Sequence, residues 1–258
     1  MQEMNAKSGR RLIGMLTPSS NTVLEPLTAR MLAPLYPDVS AHFGRFRVTE
    51  IALDEAANRQ FSLPPILEAA ELLADARCDV IAWNGTSASW LGFDTDAALC
   101  AAITERTGIP ATSAIIGLNK LLQRLGVRRL GLVTPYTADV QERIIANYAR
   151  HGITIVAEAH SGLRDNFSFS DVTEAEIAAM CERVATARPD AIAIVCTNMR
   201  GPLIAPDLER RLGVPVLDSV AFTLWSCLDV MNVPTAPLRT FGAVFAGETT
   251  PPESTTDI

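Results

Sequence analysis

Histidine is scarce, with three in 258 residues. His42, His151 and His160 lie far apart in sequence, and none has a neighbour that would complete a catalytic triad or a metal site. Cysteine is present but unpaired by motif: Cys78, Cys100, Cys181, Cys196 and Cys227 form no CxxC pair, and no histidine stands beside any of them. An odd count without zinc spacing points to reduced thiols and a cytoplasmic location. Neither a GxGxxG fingerprint nor a phosphate loop occurs. Lysine and arginine are scattered without a basic stripe and the net charge is −7, which argues against nucleic acid as a partner. Apolar runs are too short to span a bilayer, and "MQEMNAKSGRR" at the start lacks the apolar centre of a secretory signal.

What the chain does have is alternation. Apolar, β-branched runs at 11–17, 42–48, 78–84, 110–114, 128–134, 152–157, 190–195 and 214–218 read as strands. Between them, stretches such as 64–76 and 173–187 place apolar residues at helical spacing. Strand–helix alternation of this kind predicts an α/β fold with parallel sheets covered by helices. At 48% hydrophobic residues the chain can bury a large core.

The chain also repeats itself. "RRLIGMLTP" (10–18) matches "RRLGLVTP" (128–135), "ARCDVIAWNGTS" (76–87) matches "ARPDAIAIVCTN" (187–198), and "TGIPATS" (107–113) matches "LGVPVLDS" (212–219). Three anchors in the same order predict two pseudo-symmetric half-domains facing one another across a cleft. The helical stretch 219–231 follows the last strand of the second half and is expected to return to the first. The expected division is 10–118 plus 220–246 for one half and 119–219 for the other, with flexible tails at 1–9 and 247–258.

In open parallel sheets, ligands bind beyond the carboxyl ends of the strands. That rule selects "TPSSNT" (17–22), "NGTSAS" (84–89), "TPYT" (134–137) and "CTNMRG" (196–201), all rich in hydroxyls and amides. Each precedes an expected helix, whose free N–H groups favour an anion. Cys196 stands at such a strand exit, where a helix N-terminus would lower its pKa modestly. The equivalent position in the first half is Gly85. Plainer uses exist for the neighbours: Thr86 and Ser87 as helix caps, Thr22 with Glu25 as a capping box, Tyr136 as an amphipathic surface residue, Asn166 as a turn residue, and Arg45 and Arg47 as solvated charges.

Taken together, "PSSNT", "GTSAS", "TPYTADVQER", "RDNF" and "CTNMRG" resemble the aspartate/glutamate racemase superfamily, in the branch of maleate cis–trans isomerases and arylmalonate decarboxylases. The resemblance covers about residues 10–245. It implies two flavodoxin-like, Rossmann-like halves with the active site in the cleft between them, and no cofactor or metal. Racemases and isomerases of the superfamily carry a cysteine in each half, whereas the decarboxylases have one cysteine and a "GTS" loop, as here with Gly85 and Cys196. Asn21, Asn166 and "CTN" lean towards the isomerase.

Two-base racemisation needs an acid and a base on opposite faces, and glycine supplies neither. The expectation is a single-cysteine lyase decarboxylating a malonate-like small dicarboxylic acid, with Cys196 catalytic. Ser20, Asn21, Gly85, Thr86, Ser87, Tyr136, Asn166, Thr197 and Asn198 are the expected substrate-binding residues. Maleate-type cis–trans isomerisation through Cys196 is the alternative. A racemase or a small-carboxylate binding protein ranks below both. A membrane partner is not expected, and a homo-oligomer is compatible with the sequence.

Overall fold

The computed structural model describes residues 9–51, 53 and 63–246; the expected tails fall outside these, apart from Gly9. Strands β1 (Arg11–Pro18), β2 (Val39–Phe46), β3 (Val80–Trp83) and β4 (Ala111–Ser113) form one parallel sheet in the order β2-β1-β3-β4. Strands β5 (Arg129–Thr134), β6 (Thr154–His160), β7 (Ala191–Ile194) and β8 (Val216–Asp218) form a second in the order β6-β5-β7-β8. The two sheets have the same topology, as the repeated anchors predict.

The duplication extends to single residues. Arg77 and Arg188 occupy equivalent places before β3 and β7, and both hold positive φ, 54° and 52°. Two residues on, Asp79 accepts from the Leu12 N–H at 2.8 Å, and Asp190 accepts from the N–H groups of Arg128 and Arg129 at 2.9 and 2.8 Å. Each aspartate thus ties the start of its central strand to its neighbour. Such agreement is more than a shared hydrophobic pattern would produce.

Helices α1 (Leu24–Leu32), α2 (Leu63–Asp75), α3 (Ala88–Leu91), α4 (Phe93–Thr107) and α5 (Ala114–Arg124) connect or cover the first sheet. Helices α6 (Ala138–Arg150), α7 (Glu174–Ala185), α8 (Ala205–Leu212) and α9 (Ser219–Val230) follow in the second half of the chain. Ser113 and Asp218 cap α5 and α9 from equivalent positions, the serine accepting from Ile116 N and the aspartate from Val220 N and Ala221 N. Every residue of α9 from Ser219 to Leu228 is buried, as expected of a helix apolar on all sides. It lies on α5, where a Cβ at Gly117 would meet the Phe222 carbonyl oxygen at 2.7 Å. The Thr112 and Ser226 hydroxyls meet at 2.6 Å. Packed side chains such as Phe222 and Leu224 contribute roughly 1.5–3 kcal/mol each by burial. On this packing we propose grouping α9 with the first half.

Strands β1, β3, β4, β5, β7 and β8 lie within one or two residues of their expected bounds. β2 and β6, each at one edge of its sheet, do not: β2 begins at Val39 and β6 runs on to His160. Both are only partly buried, so an apolar run does not mark their ends. No helix among the described residues is long and apolar enough to cross a membrane.

Candidate active site

The exits of β3 and β7 meet. Thr197 Oγ1 donates to the Asn84 carbonyl at 2.9 Å and accepts from Asn21 Nδ2 at 3.2 Å. Around this junction lies a small cavity of about 20 Å³, lined by residues that include Trp83, Asn84, Gly85, Thr86, Ser87, Tyr136, Asn166, Cys196 and Thr197. Pro18, Val48, Ile51 and Trp90 complete its wall. The expected convergence of Cys196, Gly85, Thr86, Ser87 and Tyr136 on one hollow between the two sheets is therefore what the structure shows.

Tyr136 is held from several sides. Its N–H donates to Thr134 Oγ1 at 3.3 Å, and that hydroxyl donates to Gln141 Oε1 at 2.7 Å. Its ring packs edge-on against Trp90 and Phe169, with centroids 5.3 and 5.5 Å away. The phenol oxygen then lies 2.6 Å from Thr86 Oγ1 and also hydrogen-bonds the Cys196 thiol. Cys196, Tyr136 and Thr86 form one chain of hydrogen bonds running from the second half to the first. Tyr136 is thus a buried residue, correcting the surface reading. Thr86 turns its hydroxyl to Tyr136, while Ser87 stands at the N-cap position of α3 without a side-chain cap bond.

Ser20, Asn21 and Asn198 lie beside the cavity without lining it. Asn198 Oδ1 accepts from Thr22 N at 3.0 Å, and its Nδ2 donates to the Asn166 carbonyl at 2.5 Å. Asn166 Nδ2 donates to Ser20 Oγ at 2.7 Å, and Ser20 donates on to the Val48 carbonyl at 2.7 Å. These bonds stitch segments 19–22, 48–51, 164–166 and 197–198 into a frame. An antiparallel bridge between Glu50 and Asp165 extends it. Asn21 Oδ1 accepts from Val23 N and Leu24 N, closing the turn that leads into α1, and the expected Thr22–Glu25 box does not form. Glu25 instead pairs with Arg45, which also donates to the carbonyls of Ser19 and Asn21. Arg45 is a brace for the loop and not merely a solvated charge.

The expectation of a helix opening at Cys196 is not met. Residues 197–199 form a turn, and α8 starts only at Ala205. The cross-links of Asn198 hold the chain in this turn. Asp218 fixes its end: a Cβ at Gly201 would lie 2.2 Å from Asp218 Oδ2. The lowered thiol pKa expected from a helix end is overturned with it. Burial pushes the Cys196 thiol up to about 12, the Asp218 charge adds to the rise, and donation from Asn198 N–H and Tyr136 only partly opposes it. The Asn198 N–H lies 3.4 Å from the sulfur. Burial thus favours the protonated thiol at neutral pH.

Sequence reasoning missed Trp83 and Asp218. Asp218 is fully buried, with Oδ2 unpartnered among the described residues, and desolvation raises its pKa to about 8. Its signal was the register of "TGIPATS" on "LGVPVLDS", which sets it against Ser113. Trp83 had no comparable signal, since a tryptophan ending a buried strand reads as ordinary core.

Two parallel α/β halves enclose a buried thiol and converging hydroxyls at their junction. Residues 13–242 match the arylmalonate decarboxylase family, and the chain belongs to that family. It is 30% identical to an arylmalonate decarboxylase from Bordetella bronchiseptica over 219 residues, 84% of this chain and 88% of the relative. It is 24% identical to a maleate isomerase from Geobacillus stearothermophilus over 241 residues, 86% and 92% of the two chains. Among solved structures, a cysteine-to-serine mutant of Nocardia farcinica maleate cis–trans isomerase with a covalently bound succinylcysteine intermediate superposes with a TM-score of 0.81. There the identity is 23%, over 91% of this chain and 98% of that one. The chain is an enzyme of this decarboxylase and isomerase group.

Proposed function

We propose that the chain decarboxylates a malonate-like small dicarboxylic acid through an enediolate that Cys196 protonates. The observation that carries this reading is the single acid in the cavity: Cys196 on the β7 side, with only Gly85 at the equivalent place on the β3 side. In the proposed reaction the bond between the α-carbon and one carboxylate breaks, its electron pair passes into the remaining carboxylate, and carbon dioxide leaves. The resulting enediolate carries charge on two oxygens. Thr86, Ser87 and Tyr136, with the backbone N–H groups at 86, 87 and 197, are the donors assigned to it. A preorganised donor of this kind contributes about 2.7–4 kcal/mol to the transition state. Asn166 and Thr197 complete the binding set, while Ser20, Asn21 and Asn198 hold the loops in place.

The Cys196 proton then passes to carbon, leaving a thiolate hydrogen-bonded by Tyr136 and Asn198 N–H until water restores the proton. A donor on one side gives one product configuration when the α-carbon is prochiral. The thiol's raised pKa supports an acid over a resting nucleophile. Isomerisation of a maleate-like acid is the second reading, favoured by the structural likeness to an isomerase holding a cysteine adduct.

The test is incubation with malonate-type and maleate-type acids in deuterium oxide. Carbon dioxide release with one deuterium incorporated in one configuration is expected. Turnover of maleate-type acids alone, with no carbon dioxide, rejects the decarboxylase.

A further inference from the structure

Glycine at 85 is not there for backbone freedom. Its φ does not fall among the positive values that other glycines of the chain adopt. What excludes a side chain is space: a Cβ at residue 85 would lie 1.8 Å from Trp83 Cζ2, 2.1 Å from Cε2 and 2.6 Å from Cη2. Real carbon atoms do not approach so closely. Trp83 is 1% exposed and packs against Phe46, with ring centroids 5.2 Å apart, so the indole is wedged in a core and not free to swing. Its equivalent in the second half is Ile194, which sits just before the cysteine-bearing exit. The indole therefore fills the space on the β3 side that a residue-85 side chain would need, and it lines the same small cavity as Cys196.

We propose that Trp83 is a specificity-determining residue: its indole takes the place of any residue-85 side chain, closes the face of the cleft across from Cys196, and restricts the site to one-sided protonation of acids with a small α-substituent. The packing half of this inference stands by itself, while the substrate half rests on the decarboxylase reading.

A double-mutant cycle tests the packing. Gly85→Ala is expected to raise the unfolding equilibrium constant about 100-fold or more with Trp83 present. With Trp83→Leu or Trp83→Met it should raise it less than about 5-fold. Recovery of soluble, folded protein by the second substitution where Gly85→Ala alone fails to fold supports the inference equally. The same cost in both backgrounds, failure to fold in both, or a crystal structure of the unaltered chain with the indole turned away from Gly85 overturns it.

The substrate half is read from phenylmalonate against methylmalonate turnover. Trp83→Leu should raise the ratio of their kcat/KM values at least 10-fold. Gly85→Cys should bring α-proton exchange and racemisation of a 2-substituted propionate only when combined with Trp83→Leu. An unchanged ratio in an active enzyme overturns the substrate half. An unaltered chain that releases carbon dioxide from no malonate-type acid overturns the decarboxylase reading and the substrate half with it, and the stability cycle still decides the packing.

Discussion

The two strand exits make the informative comparison. "WNGTS" ends β3 and "IVCTN" ends β7, in sheets of the same topology, each preceded by an arginine with positive φ and a bracing aspartate. The backbone framework is shared, and the chemistry is divided. The β7 exit holds the acid, Cys196, and then a turn locked by Asn198. The β3 exit holds bulk in Trp83, space for it at Gly85, and a hydroxyl pair in Thr86 and Ser87. Duplication supplied two symmetrical places for a reactive group. Filling one of them with an indole makes the cleft handed, which a symmetric pair of cysteines would not.

The largest effect should come from removing the acid. Cys196→Ser is expected to lower turnover about 10²–10⁴-fold, the usual contribution of a positioned general acid, with inhibitor binding retained. Because the thiol is pushed up to about 12, iodoacetamide should label Cys196 slowly from pH 6 to 9 and faster only at higher pH. Full labelling at pH 6 would show a resting thiolate and break the division of labour.

Next come the hydroxyl donors around the cavity. Tyr136→Phe and Thr86→Val should each reduce kcat about 10²–10³-fold. Their two hydroxyls share one hydrogen bond, so the double variant should lose less than the product of the single effects. Strict multiplicativity in steady-state rates would show that the two hydroxyls act independently.

A smaller effect concerns Asp218, the counterpart of Ser113. Its folded carboxyl is raised from 3.8 to about 8 by burial, so the folded state holds a proton that the unfolded chain releases. The stability gained from this is full below about pH 4 and is lost as pH rises through about 8. Asp96, raised to about 7 by burial, acts with the same sign. At 1.36 kcal/mol per pKa unit, Asp218→Asn should remove a decline of on the order of a few kcal/mol, while the cap to α9 survives. Denaturant unfolding at pH 5 and pH 8.5 measures it; parallel pH slopes in both proteins would refute the assignment.

The smallest effect tests the entry to α1. Asn21→Ala should cost about 0.5–1.5 kcal/mol of stability through the lost turn hydrogen bonds, whereas Thr22→Ala should cost close to nothing. Thermal unfolding of the two variants compares them; the reverse order would reinstate the capping box.

Much of this was legible in the sequence. Apolar β-branched runs and the three repeated anchors announce two like sheets, and the rule for strand exits brings Gly85, Thr86, Ser87, Tyr136 and Cys196 together. Three things were less visible, each for a physical reason. The ends of β2 and β6 are blurred because edge strands alternate only weakly. The turn at 197–199 replaces a helix because Asn198 is satisfied by Thr22 and Asn166, residues remote in sequence. The direction of the Cys196 shift depends on how deeply the sulfur is buried, which no local motif encodes. Trp83 is the sharpest case. Only three-dimensional proximity reveals that one tryptophan explains one glycine.

The position of α9 in the chain has a consequence for biosynthesis. All four strands of the first sheet and α5 are complete once residue 124 is made, but the helix that lies on α5 begins only at Ser219. At about 5–20 residues per second, the Gly117 groove of α5 waits roughly 5–20 s for its cover. A ribosome-bound chain arrested before residue 219 should therefore be sticky and a good chaperone client. Released, full-length protein should not be. The helix that covers α5 also marks the moment at which translation has succeeded.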